Sequence, residues 1–496
     1  MHYWSRKSIF LQMLGIVVGV IVSATLCAAQ ADNTDTQTPV DGRTGKISLI
    51  EAEPEIIYSL RRYSKFYGDD NTMRGNLFER SYLLGDLGGI RNTLVEHGIY
   101  FDAGVTQFFQ VNASGGDTNG STRKSGTADY YLSIDTGKAG LWSGGVVMFH
   151  AESSWQADRS INNDTGSLLP ASFDAVMPTP GKDEALLLPE AYLLQALPGN
   201  ILLTIGKADF AGFADQNVFA NNERTQFSYA GLVNNPILGA FVPYTPLGAV
   251  GVWAPNRKNT VALVVCQAKG EANNTGFNNF NGDSTVGFQY QFSPVINDNL
   301  PGNYRVVAGY TNKDVRSFDV GRRQLIGELL GLEKSIDESN NYTVLVNFDQ
   351  YLWIEGGSLA EYEKRLDASG YPGVGHHHLP PVGIGIFGRA GWAPDDRNLI
   401  DQFYSLGIGG YGMLIPGRDF DHWGIGWAGT HISSDFRDDA GFLGFDVDTF
   451  EHSFEAFYNF QLTPAMALTV NAQAIDSASK SYNTSFTFGS RIQIDF

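Results

Sequence analysis

The stretch TSFTFGSRIQIDF, residues 484–496, decides the fold class of this chain. From Phe486 to Phe496 every second residue is Phe, Phe, Ser, Ile, Ile or Phe, and polar or small residues stand between them. This period of two is typical of an extended strand whose two faces meet different surroundings. Because the last residues of a soluble domain are usually polar and frayed, we expect this strand to be paired to its end.

Other stretches repeat the alternation. In STVGFQYQF, residues 284–292, the apolar alternates are Val286, Phe288, Tyr290 and Phe292, and residues 449–461 and 465–474 follow the same pattern. One face of each strand is apolar and the other is polar. Sixteen strands are predicted, with starts near residues 99, 128, 144, 186, 200, 247, 259, 284, 303, 341, 382, 402, 422, 449, 465 and 484.

The links between these strands alternate in length. Residues 198–200, 255–258 and 463–464 form short links, whereas segments such as 155–185 and 209–246 are long and rich in Asn, Asp and Gly. Tight turns at one end and long loops at the other are typical of an outer-membrane β-barrel. Residues 352–381 break this rule, so either a strand is miscounted or an insertion lies at the short-turn end.

A soluble array of β-sandwiches would also show alternating strands. It does not explain sixteen strands without a linker, or a chain that ends within a strand. In a closed barrel the last strand pairs with the first, and Phe496 would then face lipid at the rim. We therefore predict an all-β fold, a transmembrane antiparallel β-barrel of about sixteen strands with a short N-terminal helical segment.

The first residues indicate export. Arg6 and Lys7 precede an apolar run from Ile9 to Val22, and small residues follow, which is typical of a signal peptide over residues 1–31. An alternative is a lipoprotein acylated at Cys27, although bulky Leu26 precedes that cysteine. Loss of the signal would change the net charge from −19 to −21, and so acidic a chain is not expected to bind nucleic acid.

Residues 32–84 are expected to form a flexible N-terminal periplasmic segment, and residues 85–496 the barrel with its opening helix. For that helix, Asp86 is a candidate N-cap, Leu87, Ile90 and Leu94 fall on one face, and Gly98 is a candidate terminator. No stretch after the signal reaches the roughly 20 apolar residues of a membrane helix.

Several stretches, in this order, resemble the carbohydrate-selective porins of the OprB family. They are GDLGGIRNTLVEHGIYFD from residue 85, LPEAYLLQAL with LLTIGKADF, IFGRAGWA, LIPGRDFDHWGIGWA, FEAFYNFQLTP and the terminal FGSRIQIDF. The chain departs from the family pattern at Leu87, where Trp is usual, and at Val470-Asn471. The resemblance implies an outer-membrane pore through which monosaccharides and other small neutral solutes diffuse passively, without a cofactor. Its implied partners are these solutes, outer-membrane lipid and lipopolysaccharide, with no nucleic acid, in a monomer or homotrimer.

A sugar-selective constriction needs both signs of charge and flat apolar faces, because hydroxyls bond to Arg and carboxylates while sugar rings rest on aromatics. The predicted polar faces carry Asp102, Glu152, Asp349, Arg389, Glu451, Glu455 and Arg491. The candidate pore-lining residues are Arg91, Glu190, Arg389, Arg491, Asp349, Trp155 and Trp253. Any water-filled lumen would present a similar mixture, so each residue also has a plainer structural interpretation.

These structural alternatives are specific. Arg91 could pair with a nearby acid, Glu190 with Lys207 or another base, and Arg418 with the aspartates beside it. The tryptophans could belong to the interfacial girdle. The three histidines at 376–378 are interpreted as a loop feature, since adjacent residues of an extended loop cannot close a tetrahedral metal site alone.

No catalytic motif is present, because the chain lacks G-x-S-x-G, H-E-x-x-H and a phosphate-binding loop with lysine. We therefore predict a porin and no enzyme. Two alternatives remain: a general or cation-preferring porin, which the acidic charge favours, and a structural or adhesive barrel whose loops, such as 209–246, bind a partner outside the cell.

Overall fold

The computed structural model describes residues 75–156, 160–179, 182–256, 258–277, 282–297, 299–320, 322–357 and 380–496. The expected signal peptide, most of the expected N-terminal segment and the three histidines lie outside these ranges. Within the part of the chain that the structure describes, no helix is both long and apolar enough to cross a membrane.

Sixteen antiparallel strands of the described residues form one closed barrel. Each strand pairs with the next, and the first pairs with the last. The strands are β1 Ile99–Ser114, β2 Thr122–Asp135, β3 Gly145–Trp155, β4 Glu184–Leu197, β5 Ile201–Lys207, β6 Leu247–Asn256, β7 Asn259–Gln267, β8 Ser284–Phe292, β9 Leu300–Thr311, β10 Asn341–Ile354, β11 Gly383–Trp392, β12 Ile400–Tyr411, β13 His422–Ile432, β14 Phe450–Thr463, β15 Met466–Asp476 and β16 Ser485–Asp495.

The helices of the described residues are short, and all but the first lie between strands. They are α1 Ile90–Glu96, α2 Ile161–Thr165, α3 Phe210–Ala214, α4 Ala230–Val233, α5 Pro236–Phe241, α6 Arg322–Leu329 and α7 Ser434–Phe442, with 3₁₀ turns at Asp174–Val176 and Glu355–Gly357. Val295–Ile296 pairs with the start of β9, and Val315–Arg316 pairs with Asp337–Glu338 outside the barrel wall.

The alternation of the last strand is confirmed by its two faces. Phe486 and Phe488 are 48% and 55% exposed on the outer surface, whereas Thr487 and Arg491 are buried on the inner one. The strand is paired along its length with β1 and β15, and the backbone N–H of Phe496 donates to the carbonyl of Ala103 at 2.7 Å. An outer surface of exposed Leu, Ile and Phe side chains suits hydrocarbon, because the backbone groups are satisfied within the sheet.

The predicted strand starts agree with the structure to within about three residues, except that β2 begins at Thr122 instead of near 128. β10 pairs directly with β11, so the barrel has no further strand between them. The long link between β10 and β11 therefore joins strands at the same end of the barrel as the short turns.

The opening helix begins later than predicted. Asp86 is not its N-cap: α1 starts at Ile90 with Gly89 as the N-cap residue. Gly88 and Gly89 have φ angles of 71° and 96°, a left-handed conformation that prevents the helix from extending back towards Asp86. The end of the helix agrees with the prediction, since Gly98 follows it with φ 76°.

Candidate functional site

The segment between β5 and β6, residues 208–246, folds into the barrel and forms the inward loop. Two of its helices have side-chain N-caps: Asp209 accepts a hydrogen bond from the Gly212 amide at 2.9 Å ahead of α3, and Asn235 accepts one from the Ile237 amide at 3.1 Å ahead of α5. Its aromatic residues Phe210, Phe219, Phe227, Tyr229 and Phe241 are buried. Burial of this apolar surface holds the loop inside the wall.

Phe227 shows how the inward loop packs. Its ring lies 5.5 Å from that of Phe387 on β11 and 4.7 Å from that of Phe457 on β14, measured between centroids. The idea that residues 209–246 form an outward adhesive loop is thus wrong, because the side chains that would bind a partner contact the barrel wall.

Arg389 ties this loop to β11. Its Nε donates to Oδ1 of Asp215 at 2.9 Å, and its Nη atoms donate to the carbonyls of Leu232 at 3.1 Å, Val233 at 2.9 Å and Ala220. Five donors in a rigid fork suit this task. Arg389 faces inwards as predicted. It is only 3% exposed, however, and its side-chain hydrogen bonds are made to the inward loop.

Arg491 performs the same function from β16. It is 1% exposed and donates to the backbone carbonyls of Glu223 and Gln226. Glu455 complements it from β14, since its carboxylate accepts hydrogen bonds from the amides of Ser228 and Tyr229 at 2.9 and 2.8 Å. The charged residues of this wall therefore position the loop.

Glu451 holds a second segment in the lumen. Its carboxylate accepts from the amides of Leu168 and Leu169 at 2.6 and 3.0 Å and from the Tyr229 hydroxyl at 2.9 Å. Residues of the β3–β4 link therefore join the inward loop inside the barrel.

The inward loop leaves a lumen cavity of about 640 Å³. Its lining combines acids, cations and aromatic rings, among them Asp102, Asp129, Glu152, Asp174, Glu190, His150, Arg224, Arg305, Tyr131, Phe173, Phe213, Tyr244 and Tyr411. Both kinds of group that sugar recognition uses are present here: hydroxyl-binding charges and flat apolar faces.

Acidic residues predominate along β2, β3 and β4. His150 lies between two of them, with Nε2 2.8 Å from Oδ1 of Asp129 and Nδ1 2.9 Å from Oε1 of Glu190. Arg224 of the inward loop donates to Asp129 at 2.8 Å and lies 3.6 Å from Asp174. This part of the cavity has an excess of carboxylates, which disfavours anions.

The opposite wall carries an internally paired cation. Arg305 on β9 donates to Asp349 at 3.0 Å and to the side chain of Gln291 at 2.8 Å. Asp349 also accepts from Asn303 at 2.7 Å. Asp349 was predicted to line the pore, and the structure places it behind Arg305, which lines the cavity.

The remaining predicted residues lie elsewhere. Glu190 lines the cavity, but its partner is His150, whereas Lys207 donates to backbone carbonyls of Ala272 and Asn274. Arg91 is buried outside the lumen cavity, where Nη1 donates to Gly85 and Nη2 to Phe496. The prediction that Arg91 lines the pore is therefore corrected.

Trp155 and Trp253 project from the outer face of β3 and β6, where they are 37% and 48% exposed. They alternate with the inward residues Ser154 and Ala254, so neither indole borders the cavity. The prediction that they line the pore is therefore corrected. Their position on the outer face is compatible with the aromatic girdle of a membrane barrel. Arg418 pairs with Asp421 at 2.7 Å, the turn-locking arrangement expected of it, and this hydrogen bond raises the pKa of Arg418.

Sequence reasoning missed Asp129, His150, Asp174, Arg224 and Arg305. Asp129 and His150 had a usable signal, since each falls on the inward alternation of a predicted strand. Asp174 and Arg224 had none, because they belong to links whose course inside the barrel follows from tertiary packing.

The family model described as carbohydrate-selective porin, OprB family, matches residues 119–496. Among solved structures, the high-pH structure of Pseudomonas putida OprB is similar with a TM-score of 0.70 at 17% identity, covering 85% of this chain and 100% of that one. The low-pH structure of the same protein gives a TM-score of 0.49 at 14% identity, covering 84% and 99%. The outer membrane channel DcaP of Acinetobacter baumannii gives 0.43 at 11%, covering 80% and 97%. No curated protein matches this chain.

Proposed function

The chain belongs to the carbohydrate-selective porin family, OprB, and we propose that its lumen admits monosaccharides and other small neutral solutes faster than anions of similar size. The lumen cavity carries this proposal. At about 640 Å³ it is within the range of roughly 300–1,000 Å³ of small-molecule sites. Its mixture of carboxylates, arginines and aromatic rings suits hydroxyl-rich neutral molecules.

The selectivity against anions follows from the positions of the charges. Asp129, Glu152, Asp174 and Glu190 face the passage, whereas Arg389 and Arg491 are occupied by the inward loop. A neutral sugar pays no electrostatic cost at such a wall, but a dicarboxylate is repelled.

The site of action is proposed to be the bacterial outer membrane, with the apolar outer surface in contact with lipid and lipopolysaccharide. The chain is proposed to work as a monomer or homotrimer, as a channel without catalytic activity and without a cofactor. Transport is passive, driven by the solute gradient.

Liposome swelling with the purified protein tests this proposal, using glucose, a disaccharide, an amino acid and a dicarboxylate. We expect glucose to enter fastest and the dicarboxylate slowest. Faster entry of the dicarboxylate or amino acid than of glucose would refute sugar preference, and no entry at all would refute a conducting pore.

A cation-preferring pore is the second candidate, because the same four carboxylates would attract cations. The reversal potential across a planar bilayer in a salt gradient separates the two. Strong cation selectivity together with equal rates for sugars and neutral amino acids would favour this second candidate.

A further inference from the structure

Three buried side chains on β2 and β3 place metal-ligating atoms close together. One ligand atom each from Asp129, His150 and Glu152 lies within 4.8 Å of the others. We propose that these residues bind a divalent transition-metal cation in the lumen.

The strand register supplies the first argument. Asp129 and Glu152 are directly opposite each other on neighbouring strands. Like charges in this position destabilise a sheet, and a cation bound between them would remove the repulsion. Arg224 donates a hydrogen bond to Asp129 and balances its charge. The hydrogen bond found for Glu152 comes instead from the neutral hydroxyl of Tyr244, at 3.3 Å.

The orientation of His150 supplies the second argument. Its Nδ1 is held by Glu190 at 2.9 Å, and its ring stacks on Tyr131 with centroids 4.3 Å apart and planes at 13°. A carboxylate on one ring nitrogen fixes the imidazole so that the other nitrogen can bind a metal. On metal binding, the proton on Nε2 is released to solvent and the contact with Asp129 is replaced by the ion.

Asp129 retains an oxygen for the ion. The hydrogen bonds from His150, Arg224 and Tyr131 all end on Oδ1, so Oδ2 is the oxygen that would coordinate. Arg224 would keep its bond to Oδ1. Its charge weakens the attraction for a cation, and the carboxylates of Asp174, 3.6 Å from Arg224, and of Glu190, 2.9 Å from His150, act in the opposite direction.

The ligand chemistry selects the type of cation. One imidazole and two carboxylates suit zinc and its neighbours in the first transition series, whereas calcium and magnesium prefer oxygen ligands alone. Zinc–ligand bonds are about 2.0–2.2 Å long, so bound ligand atoms lie roughly 3.4 Å apart. The three ligand atoms lie within 4.8 Å of one another, so the side chains must move closer together by up to about 1.4 Å. Because the site borders the lumen cavity, water can complete the coordination.

Isothermal titration of the full chain in detergent with zinc chloride tests this site. The chain should carry Asn in place of His376, His377 and His378, so that the loop histidines do not contribute. We expect one zinc ion per chain, released by EDTA, and no comparable binding of calcium or magnesium. Glu152→Gln, which keeps the hydroxyl contact, and His150→Gln should each weaken binding about 10-fold or more.

His431→Gln is the matched control, because His431 also contacts a carboxylate, Asp401, on the barrel wall. Zinc binding should be unchanged in this variant. A heat-modifiable gel band shows which variants are folded, and Glu152→Gln decides the question if His150→Gln fails to fold. Absence of zinc binding to the folded chain, or unchanged binding in the folded variants at 150 and 152, would overturn the proposal. Since this assay requires no conduction, its result is independent of sugar transport.

Discussion

Arg91 donates a hydrogen bond from Nη2 to the main-chain oxygen of Phe496, 2.6 Å away and 405 positions later in the chain. Its Nη1 donates to Gly85 at 2.9 Å, and its guanidinium lies over the ring of Tyr82 at 3.9 Å from the centroid. The segment before β1 is thereby fixed beside the seam where β1 meets β16. Arg91 therefore stabilises the closure of the barrel between β1 and β16.

Arg91→Ala should therefore destabilise the barrel and leave sugar permeability unchanged. Loss of hydrogen bonds to a charged, buried donor should cost about 1.5–3 kcal/mol, measured by urea unfolding of the detergent-solubilised protein. Arg316→Ala, at a partly exposed loop pair, is the control and should cost much less. Altered sugar permeability with unchanged stability would contradict this role.

Arg389→Ala should enlarge the pore. The substitution leaves Asp215 buried without its cation and frees the carbonyls of Leu232 and Val233, so the inward loop is no longer held. Breaking a buried pair from one side costs about 3–5 kcal/mol. We expect higher single-channel conductance and entry of a trisaccharide that the native pore excludes.

Two further variants of this site refine the test. Asp215→Asn in the Arg389→Ala background should recover part of the stability, because no unpaired charge remains, but not the narrow pore. Arg418→Ala, which breaks a pair at a turn, should leave conductance unchanged. Native conductance in the folded Arg389→Ala protein would show that the packing of the aromatic residues alone holds the loop.

The two faces of β8 should respond differently to lysine. Phe288 lies on the outer face, and Gln289 lies on the inner alternation with Gln291, which binds Arg305 in the lumen. Phe288→Lys should cost about 2–4 kcal/mol near the bilayer midplane, measured by unfolding in lipid vesicles. Gln289→Lys should mainly change conductance, and equal destabilisation at both positions would refute the assigned register.

The loop that contains α7 should be sensitive to pH. Partial burial and the nearby carboxylates of Asp395 and Asp319 raise the pKa of Asp435 to about 6. A raised pKa means that folding disfavours the charged form, so this penalty is fully present above that pH and disappears as the pH falls towards 3.8, the ordinary value.

Limited chymotrypsin cleavage after Phe442 or Leu443 would measure this effect. The native loop should be cut faster than that of Asp435→Asn at pH 7.5, because only the native loop carries the unfavourable charge. The difference between the two rates should become smaller as the pH falls through 6 to 4.5, because Asp435 of the native loop is increasingly protonated there. Equal rates for both proteins at the higher pH would contradict the prediction.

The sequence by itself determined the barrel. Its strands meet lipid on one side, so the apolar alternates of Phe486, Phe488 and their equivalents must recur at every second residue, and this local period reveals strand number and register together. The closure of β16 onto β1 was predictable for the same reason, because a strand in a membrane cannot leave an edge unpaired.

Only the tertiary structure decided what occupies the lumen. Alternation identifies Arg389, Arg491 and Glu455 as inward residues, but whether such a side chain meets solute or a loop depends on where residues 208–246 fold. That loop has no period to interpret, since its aromatics pack against many strands far away in sequence. The place of Arg224 opposite Asp129, and with it the charge of the passage, is fixed by this long-range packing and by no local pattern.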